Sequence, residues 1–203
     1  MLLIAFLINF IIIICELLTL GHVKGKQNIL KYYTYLQNFL GFIVSLIFCI
    51  SFIVCYLSDK AIPEFVRGLR YMATCGLLAT MFVFIVFLGA GKKIMITNDD
   101  FLSGFPAQKA NIILHYICPV LSFLSFVLFE RDINLIHSFW TGIAAIPSCL
   151  YWIIYMILSA AKLWEEPYHF AAQEGKHKTN EIISVLLIPL SFIVISFILW
   201  NLQ

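Results

Sequence analysis

Residues 33–57 read YTYLQNFLGFIVSLIFCISFIVCYL, without one Asp, Glu, Lys or Arg. The run is too long for a strand, and its few polar residues are all uncharged, so no ordinary water-facing surface can be drawn on it. Crossing the hydrocarbon core takes about 20 apolar residues as a helix. Within lipid, only a helix or a closed barrel satisfies the backbone N–H and C=O groups. The stretch is therefore read as a transmembrane helix.

Outward from it, five more apolar segments of comparable length stand at about 3–20, 71–90, 112–129, 138–163 and 182–201. Together they define an all-α integral membrane protein, a single domain over 1–203 made of a bundle of about six transmembrane helices. Composition agrees. Of the 203 residues, 62% are hydrophobic and 12% charged, whereas soluble domains are nearer 45–50% apolar and about 25% charged. A net charge of +2 gives no footing for a nucleic-acid partner. Met1–Cys15 lacks a positively charged start, and no small-residue cleavage pattern follows it, so the first segment is expected to be a retained helix rather than a signal peptide.

Lys and Arg set the expected orientation. The first, third and fifth connections carry Lys24, Lys26, Lys31, Lys92, Lys93, Lys109, Lys162, Lys176 and Lys178; the second and fourth carry Lys60, Arg67, Arg70 and Arg131. The odd-numbered connections are expected in the cytoplasm, with both termini outside. Tyr32, Tyr33, Tyr35, Tyr71, Trp164, Tyr168 and Trp200, near segment ends, are expected to be interfacial anchors.

Polar side chains inside such spans are costly and tend to face the bundle interior. In the second helix Thr34, Asn38, Gly41 and Ser45 recur every three or four residues and share a face. The fourth repeats the pattern with His115, Pro119 and Ser122, flanked by Cys118 and Ser125; the first carries Asn9, Glu16 and Thr19. Helices two and four enter the membrane from the side on which helix one leaves it. Thr34, His115 and Glu16 are therefore expected at one depth. A hydroxyl and an imidazole at one depth are the minimum of a nucleophile–base pair, and a carboxylate such as Glu16 would orient the imidazole. Asn38, one turn deeper, is the candidate oxyanion donor. Plainer roles stand beside these. Thr34 can bond a carbonyl of its own helix. His115 and Asn38 can hydrogen-bond between helices, and Glu16 can reach toward the interface or pair with Lys24 or Lys26.

No metal site and no cofactor are expected. His22, His115, His169 and His177, with Glu165 and Glu166, fall on one side, but none has HxxxH or HExxH spacing. The six cysteines form no CxxC pair and are read as small apolar fillers.

Lys31-Tyr32-Tyr33-Thr34-Tyr35-Leu36-Gln37-Asn38 resembles the KYxT region of the androgen-induced-protein family of membrane threonine lipid hydrolases, and Leu114-His115-Tyr116-Ile117-Cys118-Pro119 is similar to that family's His-to-Pro helix. The His-to-Pro spacing also resembles that of a bacterial group of six-helix membrane proteins. The resemblance covers two short patches within a shared six-helix layout. It implies a multi-pass protein that hydrolyses fatty acid esters of hydroxy fatty acids, with Thr34 as nucleophile and His115 as base. It gives no role to Glu16. The expected partner is a lipid substrate arriving sideways from the bilayer. The alternative is a non-catalytic lipid- or partner-binding membrane protein in which the same residues hold helices together. A transporter ranks behind both, because no internal repeat and no charge at a helix centre is apparent.

Overall fold

The computed structural model describes residues 1–20, 32–88, 107–131, 137–163 and 177–202, and among them the chain is all helical. Six rods follow one another: α1 (Leu2–Leu20), α2 (Tyr33–Leu57), α3 (Glu64–Val83, continued by one π turn, Phe84–Leu88), α4 (107–129), α5 (Trp140–Ala160) and α6 (His177–Asn201). The first five each hold a stretch long and apolar enough to cross a membrane; in α6 the apolar stretch of described residues is Pro189–Asn201. Large apolar side chains stay exposed along the rods, among them Leu3, Ile50, Ile85, Leu128, Ile153 and Phe197. Such a surface suits lipid and would be a liability in water.

The most enclosed helix is α3, which packs against α2, α4, α5 and α6. Half of its span is buried, against 28% for α2. Small residues allow this. A Cβ on Gly68 would overlap the Trp140 indole, and one on Gly76 would overlap the Gln37 side chain. Membrane helices gain little from apolar burial against one another, so close approach at small residues carries much of their packing. One apolar cluster (Tyr33, Ala79, Tyr151, Trp152, Tyr155, Phe192) joins α2 and α3 to α5 and α6. A second (Tyr71, Phe126, Val127, Trp140, Ala144, Leu199) joins α3 and α4 to the same pair.

Two expectations are corrected. The third helix begins at Glu64, two turns before the expected boundary at residue 71, and Arg67 and Arg70 lie inside the bundle, both about fully buried. Arg70 Nε and Nη2 lie 3.2 and 3.1 Å from Glu130 Oε1, which also accepts from Ser125 Oγ at 2.6 Å and from Asn9 Nδ2 at 3.5 Å. The Arg67 guanidinium sits 4.5 Å from the Phe126 ring centroid. An ion pair and its hydrogen bonds make the early start tolerable, which hydropathy alone does not register. Second, Tyr33 and Tyr71 are core residues rather than interfacial anchors. The Tyr33 hydroxyl pairs with Ser148 Oγ at 2.6 Å, and Tyr71 donates to the Ser196 carbonyl. Trp164 and Tyr168 lie outside the described residues.

Candidate active site

The fourth helix alternates α and π turns: Ala107–Ile112 is α, Ile113–Ile117 is π, Cys118–Leu124 is α and Ser125–Phe129 is π. Pro119 accounts for the first π turn. Its ring would press on the carbonyl four residues back, that of His115, and it brings no N–H to that carbonyl. Widening the turn relieves both problems, and Cys118 N–H bonds instead to the Ile113 carbonyl. Single π turns of this kind recur at functional sites. Here the turn carries His115.

His115 is 6% exposed, and both of its ring nitrogens are engaged. Nδ1 lies 3.0 Å from the Asn111 carbonyl, one turn back. A carbonyl only accepts, so Nδ1 carries the proton and Nε2 presents its lone pair. Nε2 lies 3.2 Å from Thr34 Oγ1. The hydroxyl therefore donates to an imidazole already in the tautomer that can take its proton. The Phe84 ring, in the π turn of α3, covers the imidazole at 4.1 Å between centroids, and Tyr116 meets Phe84 edge-on. Three helices fix one ring.

Thr34 is half-buried in the first turn of α2, and that turn is tied down on both sides. Tyr33 stacks on Phe192 and leans on Tyr151, anchoring the turn to α5 and α6. Asn38 Nδ2 donates to the Thr34 carbonyl at 2.8 Å. First-turn N–H groups of a helix have no acceptor within it, and the dipole is positive there. The Thr34 N–H is one of them.

The structure thus brings Thr34 and His115 together and does not bring Glu16 to either. Glu16 is fully buried, its carboxyl facing the Cys118 thiol one turn beyond His115. The orienting task expected of Glu16 falls to the Asn111 backbone carbonyl, because His115 has no ring nitrogen left for a carboxylate. Full burial also removes the reading in which Glu16 reaches toward the interface; pairing with Lys24 or Lys26 involves positions outside the described residues. Asn38 departs from expectation too. One of its amide N–H groups is given to the Thr34 carbonyl, so Asn38 braces the first turn of α2 within its own helix. Asn111 and Phe84 were missed in the sequence. A backbone carbonyl leaves no residue-type signal, although its place one turn before a histidine was visible.

A second polar cluster lies two to three turns away, formed by Asn9, Ser45, Arg70, Ser125 and Glu130. Between the two, Thr74 Oγ1 and Ser122 Oγ pair at 2.8 Å. Among the described residues, no group of three or more His, Cys, Asp or Glu side chains is disposed to hold a metal ion; His22, His169, Glu165 and Glu166 lie outside them. Comparison with protein-family models, with curated proteins and with solved structures found no match to this chain.

Proposed function

We propose that this chain is an intramembrane lipid ester hydrolase in which Thr34 is the nucleophile and His115 its base. The observation that carries the reading is the 3.2 Å contact from Thr34 Oγ1 to an imidazole whose other nitrogen is bonded to the Asn111 carbonyl. In the first half-reaction Oγ1 attacks the ester carbonyl carbon while Nε2 takes its proton. The tetrahedral oxyanion forms at the positive end of α2, within reach of the Thr34 N–H. On collapse the ester C–O bond breaks and His115 returns the proton to the departing alkoxide, leaving acyl-Thr34 and a free alcohol. Water then attacks the acyl carbon with His115 again as base, and Thr34 and a fatty acid are released.

The lipid-facing exterior supports a substrate that arrives from the bilayer. The resemblance of the two motif patches to the androgen-induced-protein family supports fatty acid esters of hydroxy fatty acids as its class. The same reading places the odd-numbered connections in the cytoplasm. With Arg67 and Arg70 inside the bundle, the second and fourth connections keep only Lys60 and Arg131, so the basic residues are more one-sided than the sequence count.

The rival reading treats the Thr34–His115 bond as a simple link between helices, as in a non-catalytic lipid- or partner-binding protein. Fluorophosphonate labelling separates the two. The purified protein in nanodiscs is expected to be modified on the peptide containing Thr34, and His115→Ala is expected to remove the label. An unlabelled wild-type protein would favour the binder.

A further inference from the structure

Three helix registers converge on one level of the bundle. Antiparallel α1 and α2 meet where Cys49 Sγ approaches the Phe6 carbonyl at 3.8 Å. Ten residues onward in α1 and ten back in α2, Glu16 stands level with Phe39, beside Asn38. Antiparallel α1 and α4 meet where Asn9 Nδ2 lies 2.9 Å from Ser125 Oγ. Seven residues onward, Glu16 faces Cys118. Parallel α2 and α4 meet at Thr34 and His115, which sets Asn38 level with Pro119.

Glu16, Asn38 and Cys118 therefore share one level, a single turn, or about 5 Å, below the reacting pair. All three are fully buried. Among the described residues, both Glu16 carboxyl oxygens and Asn38 Oδ1 have no hydrogen-bond donor of good geometry. The Asn38 amide cannot be turned round to remedy this, because its oxygen would then face the Thr34 carbonyl oxygen. Glu16 and Asn38 thus present unpartnered buried polar atoms at one level, with the Cys118 thiol and the second Asn38 N–H as donors, a setting complementary to a small molecule that both donates and accepts hydrogen bonds.

We propose that Glu16 and Asn38 hold a bound water directly behind the Thr34–His115 pair, and that this is the water that cleaves acyl-Thr34. The inference rests on the hydrolase reading for its second half only. A lipid acyl chain on Thr34 covers the membrane-facing approach. Toward the opposite end of the bundle lies the apolar cluster of Ala5, Phe48, Ile62 and Val66. A water already held inside would serve the second half-reaction without having to enter past the acyl chain. In that step the held water's oxygen bonds the acyl carbon, one of its protons passes to His115 Nε2, the acyl C–Oγ bond breaks, and that proton returns to Thr34 Oγ1. The fatty acid leaves with the water's oxygen.

The test replaces Glu16 and follows the two half-reactions separately. Glu16→Met has nearly the volume but no acceptor oxygens. It is expected to release the alcohol at the wild-type rate in a first turnover, to deacylate at least about tenfold more slowly, and so to accumulate acyl-Thr34 by intact mass. Glu16→Gln keeps one acceptor oxygen and is expected to recover part of the deacylation rate. Equal slowing of both half-reactions by Glu16→Met would show Glu16 acting through His115 and would overturn the proposal, as would unchanged turnover. A readout independent of activity uses radiolytic hydroxyl-radical labelling of the wild-type protein. Cys118 beside the held water is expected to be oxidised faster than Cys75, which is also buried but packs among Tyr71, Phe126, Trp140 and Leu199, where the Tyr71 hydroxyl is already paired with that of Ser196. Glu16→Gln is expected to preserve part of that excess. Equal labelling of the two thiols would remove the water site even if Glu16→Met failed to fold. A wild-type protein that forms no acyl-Thr34 but shows the Cys118 excess would remove the hydrolase reading and leave the water site standing.

Discussion

Thr34→Ala is expected to lower ester hydrolysis by at least about three orders of magnitude, because the proposed mechanism forms its acyl intermediate on the Thr34 hydroxyl. Thr34→Ser is expected to keep part of the activity: the hydroxyl remains, but the methyl that restricts its rotamer does not. His115→Ala should match Thr34→Ala in severity, and the double variant should be little worse than either, since a nucleophile and its base act as a unit. The assay is release of free fatty acid from a branched lipid ester by purified protein in nanodiscs. Other roles for Thr34 predict different numbers. A hydroxyl that only links α2 to α4 should cost about 1 kcal/mol or less of stability on removal and leave turnover intact. One that only binds substrate should raise KM more than it lowers kcat. Wild-type hydrolysis by a folded Thr34→Ala protein would end the Thr–His mechanism.

The second large effect is expected far from that pair. Arg70 and Glu130 are both fully buried, 3.1 Å apart. Removing one leaves the other as an uncompensated charge, at a cost of about 3–5 kcal/mol. Glu130→Ala and Arg70→Met should each lower the thermal unfolding midpoint in detergent sharply. The double replacement Arg70→Met with Glu130→Leu should recover much of the loss, because well-packed apolar side chains often replace a buried pair without penalty. The cluster carries further polar partners, Asn9, Ser45 and Ser125, so recovery is expected to be incomplete. A double variant as unstable as either single one would assign the loss to packing rather than charge.

The six-helix layout was legible because the hydrocarbon core demands long, predominantly apolar helices, and the sequence has five such runs beside residues 33–57. The meeting of Thr34 and His115 was legible for a related reason. Once connections are short, depth follows from residue count along each helix, and two side chains near the starts of parallel helices must lie at one level. Depth does not give rotation about a helix axis. Glu16 has the right level for His115 to within a turn, yet it faces Cys118. The rotation is set in part by the π turn at Ile113–Ile117, and no residue pattern other than Pro119 announced it. The start of α3 was misplaced because charge was counted as a mark of the membrane boundary. Arg67 and Arg70 carry that mark in sequence and lose it in space, since Glu130 and the Phe126 ring lie sixty residues downstream. Tyr33 and Tyr71 were misread similarly: tyrosine suits an interface, but it also suits a core that offers its hydroxyl a partner.

The distance in sequence between Arg70 and Glu130 bears on how the chain can be made. While α3 is being synthesised its counter-charge does not yet exist. A guanidinium deep in lipid costs up to about 3 kcal/mol, and α3 carries two. That helix has reason to wait, held at the translocation channel or at the surface, until α4 supplies the carboxylate. The two would then partition into lipid as a hairpin, with the ion pair formed on the way in. Glycosylation-scored insertion of α3, with and without α4 following it in the nascent chain, reads this order of assembly.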